Sequence, residues 1–132
     1  MSLRVLCVED SSFHQIHLRQ IFSPLGKVDL AANGKDGLDA FEAQLKAGEP
    51  YDLICLDLLM PEMDGQEMLA KLRDLEDSYR IQKMQGVKVI ILTGLDDQEN
   101  VFNAFRSRCD AYLTKPIRRE ELMGYLKAWG LL

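Results

Sequence analysis

The feature that most limits what this chain can fold into is the stretch YDLICLDLLMPEMDG, Tyr51 to Gly65, where an apolar run ends abruptly on a carboxylate. Leu53, Ile54, Cys55 and Leu56 follow one another without a polar break. That is the pattern of a strand covered on both faces, and so of a parallel sheet with helices on each side. Asp57 ends the run, and Met60-Pro61 and Asp64-Gly65 then turn the chain. A carboxylate is costly to bury without a partner. Asp57 is therefore expected at the carboxyl end of a central strand, the edge at which open α/β sheets bind ligands.

The pattern of strand followed by acid occurs twice. Leu3 to Val8 (LRVLCV) is a short apolar strand that runs into Glu9-Asp10. Ser11 or Ser12 caps the helix that follows, whose Leu18, Ile21, Phe22 and Leu25 recur at helical spacing before Pro24 and Gly26 close it. His14 and His17 fall on or near the same stripe. They read as packed, hydrogen-bonded side chains, because no third metal ligand accompanies them. Lys27 to Ala31 is a weaker strand at the sheet edge, followed by an Asn33-Gly34 turn. A helix from Lys35 carries Leu38, Phe41 and Leu45 inward and stops at Gly48-Glu49-Pro50.

Beyond Asp57, a helix from Gln66 to about Lys83 has Met68, Leu69, Leu72 and Leu75 on one face, and its polar end leads through Gly86 to the next strand. Val87 to Leu92 is a second central strand that leaves through Thr93-Gly94. Asp96 or Asp97 caps a helix with Val101, Phe102 and Phe105 inward. Ala111 to Thr114 is a fifth strand entering Lys115-Pro116, and a last helix, Arg118 to Trp129, carries Leu122, Tyr125, Leu126 and Trp129. Strand and helix thus alternate five times, the order of a single doubly wound (βα)5 domain over residues 1–132, with helices on both faces and right-handed crossovers.

Charge and cysteine usage narrow the function. Sixteen basic residues face 21 acidic ones, for a net charge of −5, and no basic run could track a phosphate backbone, so direct nucleic-acid binding is not expected. The three cysteines show no CxxC spacing, and no apolar segment is long enough for membrane insertion, which points to a reduced, cytoplasmic protein.

In a parallel sheet the strand ends converge, here bringing Glu9, Asp10, Asp57, Thr93 and Lys115 to one edge. Three carboxylates repel one another unless a cation joins them, and an all-oxygen site of this kind suits Mg²⁺. A hydroxyl and an ammonium supply what a metal-bound phosphoryl group still lacks. An Asp beside the metal can take that group as an aspartyl phosphate.

VLCVED, DLICLDLLMPEMDG, VIILTG and AYLTKP, in this order, resemble the receiver domain of two-component response regulators. The resemblance spans essentially the whole chain. It implies a flavodoxin-like sheet of order 2-1-3-4-5, with Asp57 as phosphoacceptor, Asp10 and Asp57 as side-chain ligands of Mg²⁺, Leu59 adding its backbone carbonyl, and Glu9 acting through water. Thr93 and Lys115 would follow the phosphoryl group, and Tyr112 would be the aromatic residue that moves inward on activation. It also implies a cis Lys115-Pro116 bond. The expected partners are a sensor histidine kinase or a histidine phosphotransfer protein, with a homodimer through the fourth helix, fifth strand and fifth helix. The chain would be a stand-alone regulator or a receiver cut from a longer protein, a switch and not a conventional enzyme.

Three departures stand out. Glu9 replaces the more usual Asp, and Arg108-Cys109-Asp110 replaces the usual Gly-Ala-Asp, placing an arginine at a left-handed turn. Leu59 and Leu95 flank the acceptor without any group to hydrogen-bond water, which implies slow self-dephosphorylation. A phosphatase of the haloacid dehalogenase type would need a second Asp where Leu59 stands; a receiver-like module that signals without phosphate is the remaining alternative.

Overall fold

The computed structural model describes residues 3–58, 63, 65–79, 86–94, 103 and 108–132. Five strands, β1 (Leu3–Val8), β2 (Gly26–Ala31), β3 (Leu53–Asp57), β4 (Lys88–Thr93) and β5 (Ala111–Thr114), form one parallel sheet in the order β2-β1-β3-β4-β5. Among the described residues the helices are α1 (Ser12–Phe22), α2 (Gly34–Lys46), α3 (Gly65–Ser78) and α4 (Arg119–Ala128). The helix expected around Val101, Phe102 and Phe105 lies outside them, as does the expected end of the third helix at Lys83, so α4 is the last helix of the sequence pattern.

Alternation across the pleat explains the unbroken apolar runs. Leu6, Val8, Ile54, Leu56, Val89 and Ile91 face one way and pack with Phe41 of α2 and Met68, Leu69 and Leu72 of α3. Val5, Cys7, Leu53, Cys55, Ile90 and Leu92 face the other way, onto Leu18, Ile21 and Phe22 of α1 and Leu122 and Leu126 of α4. Each fully buried Leu or Ile contributes about 1.5–3 kcal/mol relative to exposure, so β3, buried throughout, anchors both layers. β2 is only half-buried, as an edge strand should be.

Local sequence sets the helix starts. The Ser11 side chain accepts from the His14 amide at the head of α1. Asn33 accepts from the Asp36 amide at 2.8 Å and donates to the Asp36 carboxylate at 3.1 Å, so the expected Asn33-Gly34 turn is the first turn of α2. β4 starts one residue later than its apolar run, because the Val87 amide donates to the Glu76 carboxylate at 2.7 Å, and it ends one residue later by pairing Thr93 with Thr114. No helix among the described residues is long and apolar enough to cross a membrane.

Candidate functional site

Since all five strands run the same way, their carboxyl ends form one rim. Glu9 follows β1, and its amide donates to the Ala31 carbonyl at 2.9 Å, which extends the β1–β2 ladder by one bond. Asp57 is the last residue of β3, in register with Leu92, so Thr93 lies one position further along β4. The Lys115 amide then donates to the Thr93 carbonyl at 2.8 Å, joining the exit of β5 to that of β4. Gly65, at the start of α3, passes so close to the strand end that a Cβ there would lie 2.6 Å from the Asp57 carbonyl oxygen, and its amide donates to the Leu58 carbonyl at 3.0 Å. Glycine is what permits that approach.

Glu9, Asp10 and Asp57 each offer a carboxylate oxygen, all within 4.8 Å of one another. Glu9 is 1% exposed and Asp57 7%, while Asp10 is open to solvent. Burying Glu9 requires compensation. Its Oε1 accepts from the Lys115 ammonium at 2.6 Å and its Oε2 from the Ser11 amide at 3.3 Å, while its main-chain carbonyl takes the Gln15 side chain at 2.6 Å. Lys115 Nζ also lies 3.4 Å from Asp57 Oδ2 and 3.2 Å from His14 Nδ1.

Among the described residues, three carboxylates gather around one ammonium, an excess of negative charge on hard oxygen donors. A divalent, oxygen-seeking cation such as Mg²⁺ fits that set in both charge and chemistry. The same place can hold a phosphoryl group, because an acid that can attack lies beside a cation that can take its oxygens.

The structure brings together Glu9, Asp10, Asp57 and Lys115, four of the residues expected at the site from the sequence. Thr93 is fully buried at the same rim. The Lys115-Pro116 bond is cis, as expected. Tyr112 is half-buried and packs against the core layer of α2 and α3. Leu59, expected to offer its carbonyl, and Leu95 lie outside the described residues. His14 is the residue that sequence reasoning missed, having been read as part of the helix packing. The signal available was its place in the first turn of α1, immediately after the acidic strand end.

Residues 5–127 match the response regulator receiver domain family. The chain is 30% identical over 128 residues to the hybrid signal transduction histidine kinase L of Dictyostelium discoideum, covering 96% of this chain and 7% of that protein. It is 34% identical over 128 residues to the probable transcriptional regulator ycf29 of Porphyra purpurea, covering 96% of this chain and 56% of that one. Among solved structures, it superposes with a TM-score of 0.79 and 28% identity on the receiver domain of the sensor histidine kinase PA1611 from Pseudomonas aeruginosa, covering 98% of each chain; that structure has a magnesium ion coordinated in its active-site cleft. The chain thus spans little more than half of one of these curated relatives and a small part of the other.

Proposed function

The chain belongs to the response regulator receiver domain family, and from that membership we propose that it is a phosphoacceptor of two-component signalling. It takes a phosphoryl group onto Asp57 from a phosphohistidine on a sensor histidine kinase or a histidine phosphotransfer protein. The observation that carries this reading is the meeting of the Asp57 carboxylate with the Lys115 ammonium at 3.4 Å, inside a cluster that also holds Glu9 and Asp10.

In this reading an Asp57 oxygen attacks phosphorus, and the phosphorus–nitrogen bond of the donor breaks as the new oxygen–phosphorus bond forms. Lys115 turns from Asp57 toward a phosphoryl oxygen while keeping its shorter contact with Glu9, and Thr93 supplies a hydroxyl to another. Asp10, Asp57 and the Leu59 carbonyl would hold Mg²⁺, with Glu9 acting through water, and the ion when bound neutralises charge on the phosphoryl oxygens. Positioning and charge complementarity supply the catalysis. Beside Lys115 an open groove of about 440 Å³, lined by Phe13, Ile16, His17, Pro116 and Ile117, supports docking of the donor protein within reach of Asp57. Its exposed apolar side chains, Phe13 and Ile16, suit a protein partner.

The phosphoryl group then favours one of two arrangements of the fourth-helix, fifth-strand and fifth-helix surface of the sequence pattern, with Thr93 and Tyr112 as its switch residues, and that surface engages a target or a second copy. Leu59 and Leu95 cannot orient an attacking water, so the reading includes slow self-dephosphorylation. It places the protein in the cytoplasm, in keeping with three buried, free cysteines.

The test is incubation with Mg²⁺ and acetyl phosphate. Wild type should gain one alkali- and hydroxylamine-labile phosphate per chain, whereas Asp57→Asn, or wild type with a chelator, should gain none. Equal labelling of Asp57→Asn, or no labelling of wild type, would overturn the proposal.

A further inference from the structure

We propose that His14 is a positioning residue for Lys115, holding the ammonium so that one of its N–H bonds stays aimed at Asp57. The inference deepens the phosphoacceptor reading and rests on it for its consequence, though not for its geometry.

A lysine ammonium has three N–H donors on a flexible stem of four carbons. Among the described residues Lys115 has three acceptors within reach: Glu9 Oε1 at 2.6 Å, His14 Nδ1 at 3.2 Å and Asp57 Oδ2 at 3.4 Å. The first two stand 3.3 Å from each other. With those two engaged, the third N–H is left to Asp57. That third contact is the longest, so it is the one from which the ammonium can most easily turn to an incoming phosphoryl oxygen. In the tautomer with the ring proton on Nε2, Nδ1 presents its lone pair to the ammonium at 3.2 Å. The ring itself is set from its own helix: the His14 amide donates to the Ser11 cap, and Phe13 meets the imidazole edge-on at 5.7 Å. His14 also lines the groove beside Lys115. An apolar side chain at this position leaves one N–H facing that groove, and the ammonium can then swing out of line.

The experiment reads Lys115 first without Mg²⁺ or any phosphodonor, by nitrogen-15 NMR of the lysine ammonium, assigned through Lys115→Arg. Wild type should show a protected ammonium. His14→Leu and His14→Ala should lose that protection, and His14→Asn, whose side-chain oxygen can stand near the place of Nδ1, should regain it. His14 is partly exposed, so circular dichroism and melting should stay the same across the series. In the second arm, acetyl phosphate with saturating Mg²⁺ should label His14→Leu more slowly than wild type, by up to about a hundredfold, the loss that a misplacement of about 1 Å can cause. His14→Asn should label close to the wild-type rate. Unchanged protection and rate in both apolar variants would overturn the proposal, and so would an Asn variant that behaves like Leu. If wild type takes no phosphate at all, the phosphoacceptor reading fails, while the first arm still decides whether His14 holds Lys115.

Discussion

At the scale of single residues, Arg108 is the clearest case of strain tolerated for a structural return. Its φ of 70° is left-handed, a conformation that disfavours any side chain by about 1 kcal/mol relative to glycine. The resemblance to receiver domains pointed to this turn, because glycine is usual there. What keeps the conformation is the Arg108 main chain: its carbonyl accepts from Arg73 Nε at 3.1 Å and Nη2 at 2.8 Å. The Arg108 guanidinium meets Asp77 at 3.3 Å, an exposed pair that contributes roughly 0–1 kcal/mol. Arg108→Gly should therefore raise stability by about 0.5–1 kcal/mol, seen as a higher urea midpoint at unchanged slope. A lower midpoint would mean that the pair with Asp77 outweighs the strain. His14 teaches a related lesson. Its sequence neighbours made it look like helix packing, and its role at the site shows only when residue 115 is brought beside it.

At the scale of elements, the strands and the apolar helix faces were legible because periodicity reports burial directly. β1 and β5 begin and end where their apolar runs do, and most other boundaries differ by a residue or so, whereas α3 ends at Ser78, ahead of the end expected at Lys83. The polar cement between elements was not legible. Arg73 lies on α3 where an arginine reads as solvent-facing, yet it is 7% exposed. It bonds Glu76 at 2.6 Å, the Val87 carbonyl at 2.9 Å and Asp110 at 3.1 Å, tying α3 to the entrances of β4 and β5. Partners as far as 37 residues away leave no local trace in sequence. Arg73→Leu should destabilise the fold by about 3–5 kcal/mol in urea unfolding, because it strands the buried Glu76 carboxylate. A loss below about 1 kcal/mol would show that water or a rearranged partner takes over.

For the whole molecule, the convergence of Glu9, Asp10, Asp57 and Lys115 followed from chain order and the rule for parallel sheets, while the strand order followed from the resemblance to receiver domains. The buried thiols and phenol add a property that the sequence did not announce. Burial, helped by the Asp110 carboxylate, pushes the Cys109 thiol up to about 12. Burial and Asp29 raise the Tyr51 phenol, and burial with Cys7 alongside raises the Cys55 thiol. Each folded group keeps a proton that the unfolded chain releases at lower pH. Their contribution is thus complete below about pH 8.5, the ordinary thiol range, and is lost as pH climbs toward their folded values. Melting temperature should fall between about pH 9 and 11, and Cys109→Ala should fall less steeply by calorimetry. A flat wild-type profile would contradict this.

The contact between Lys115 and Glu9 spans 106 positions, and that between Lys115 and Asp57 spans 58. On the ribosome Asp57 therefore emerges well before Lys115, because chains are made from the amino end. A nascent chain holding the acids without their lysine lacks the ammonium that Glu9 and Asp57 meet in the finished fold. The rim of acids gains its cation only when β5 joins β4 and the Lys115 amide bonds the Thr93 carbonyl.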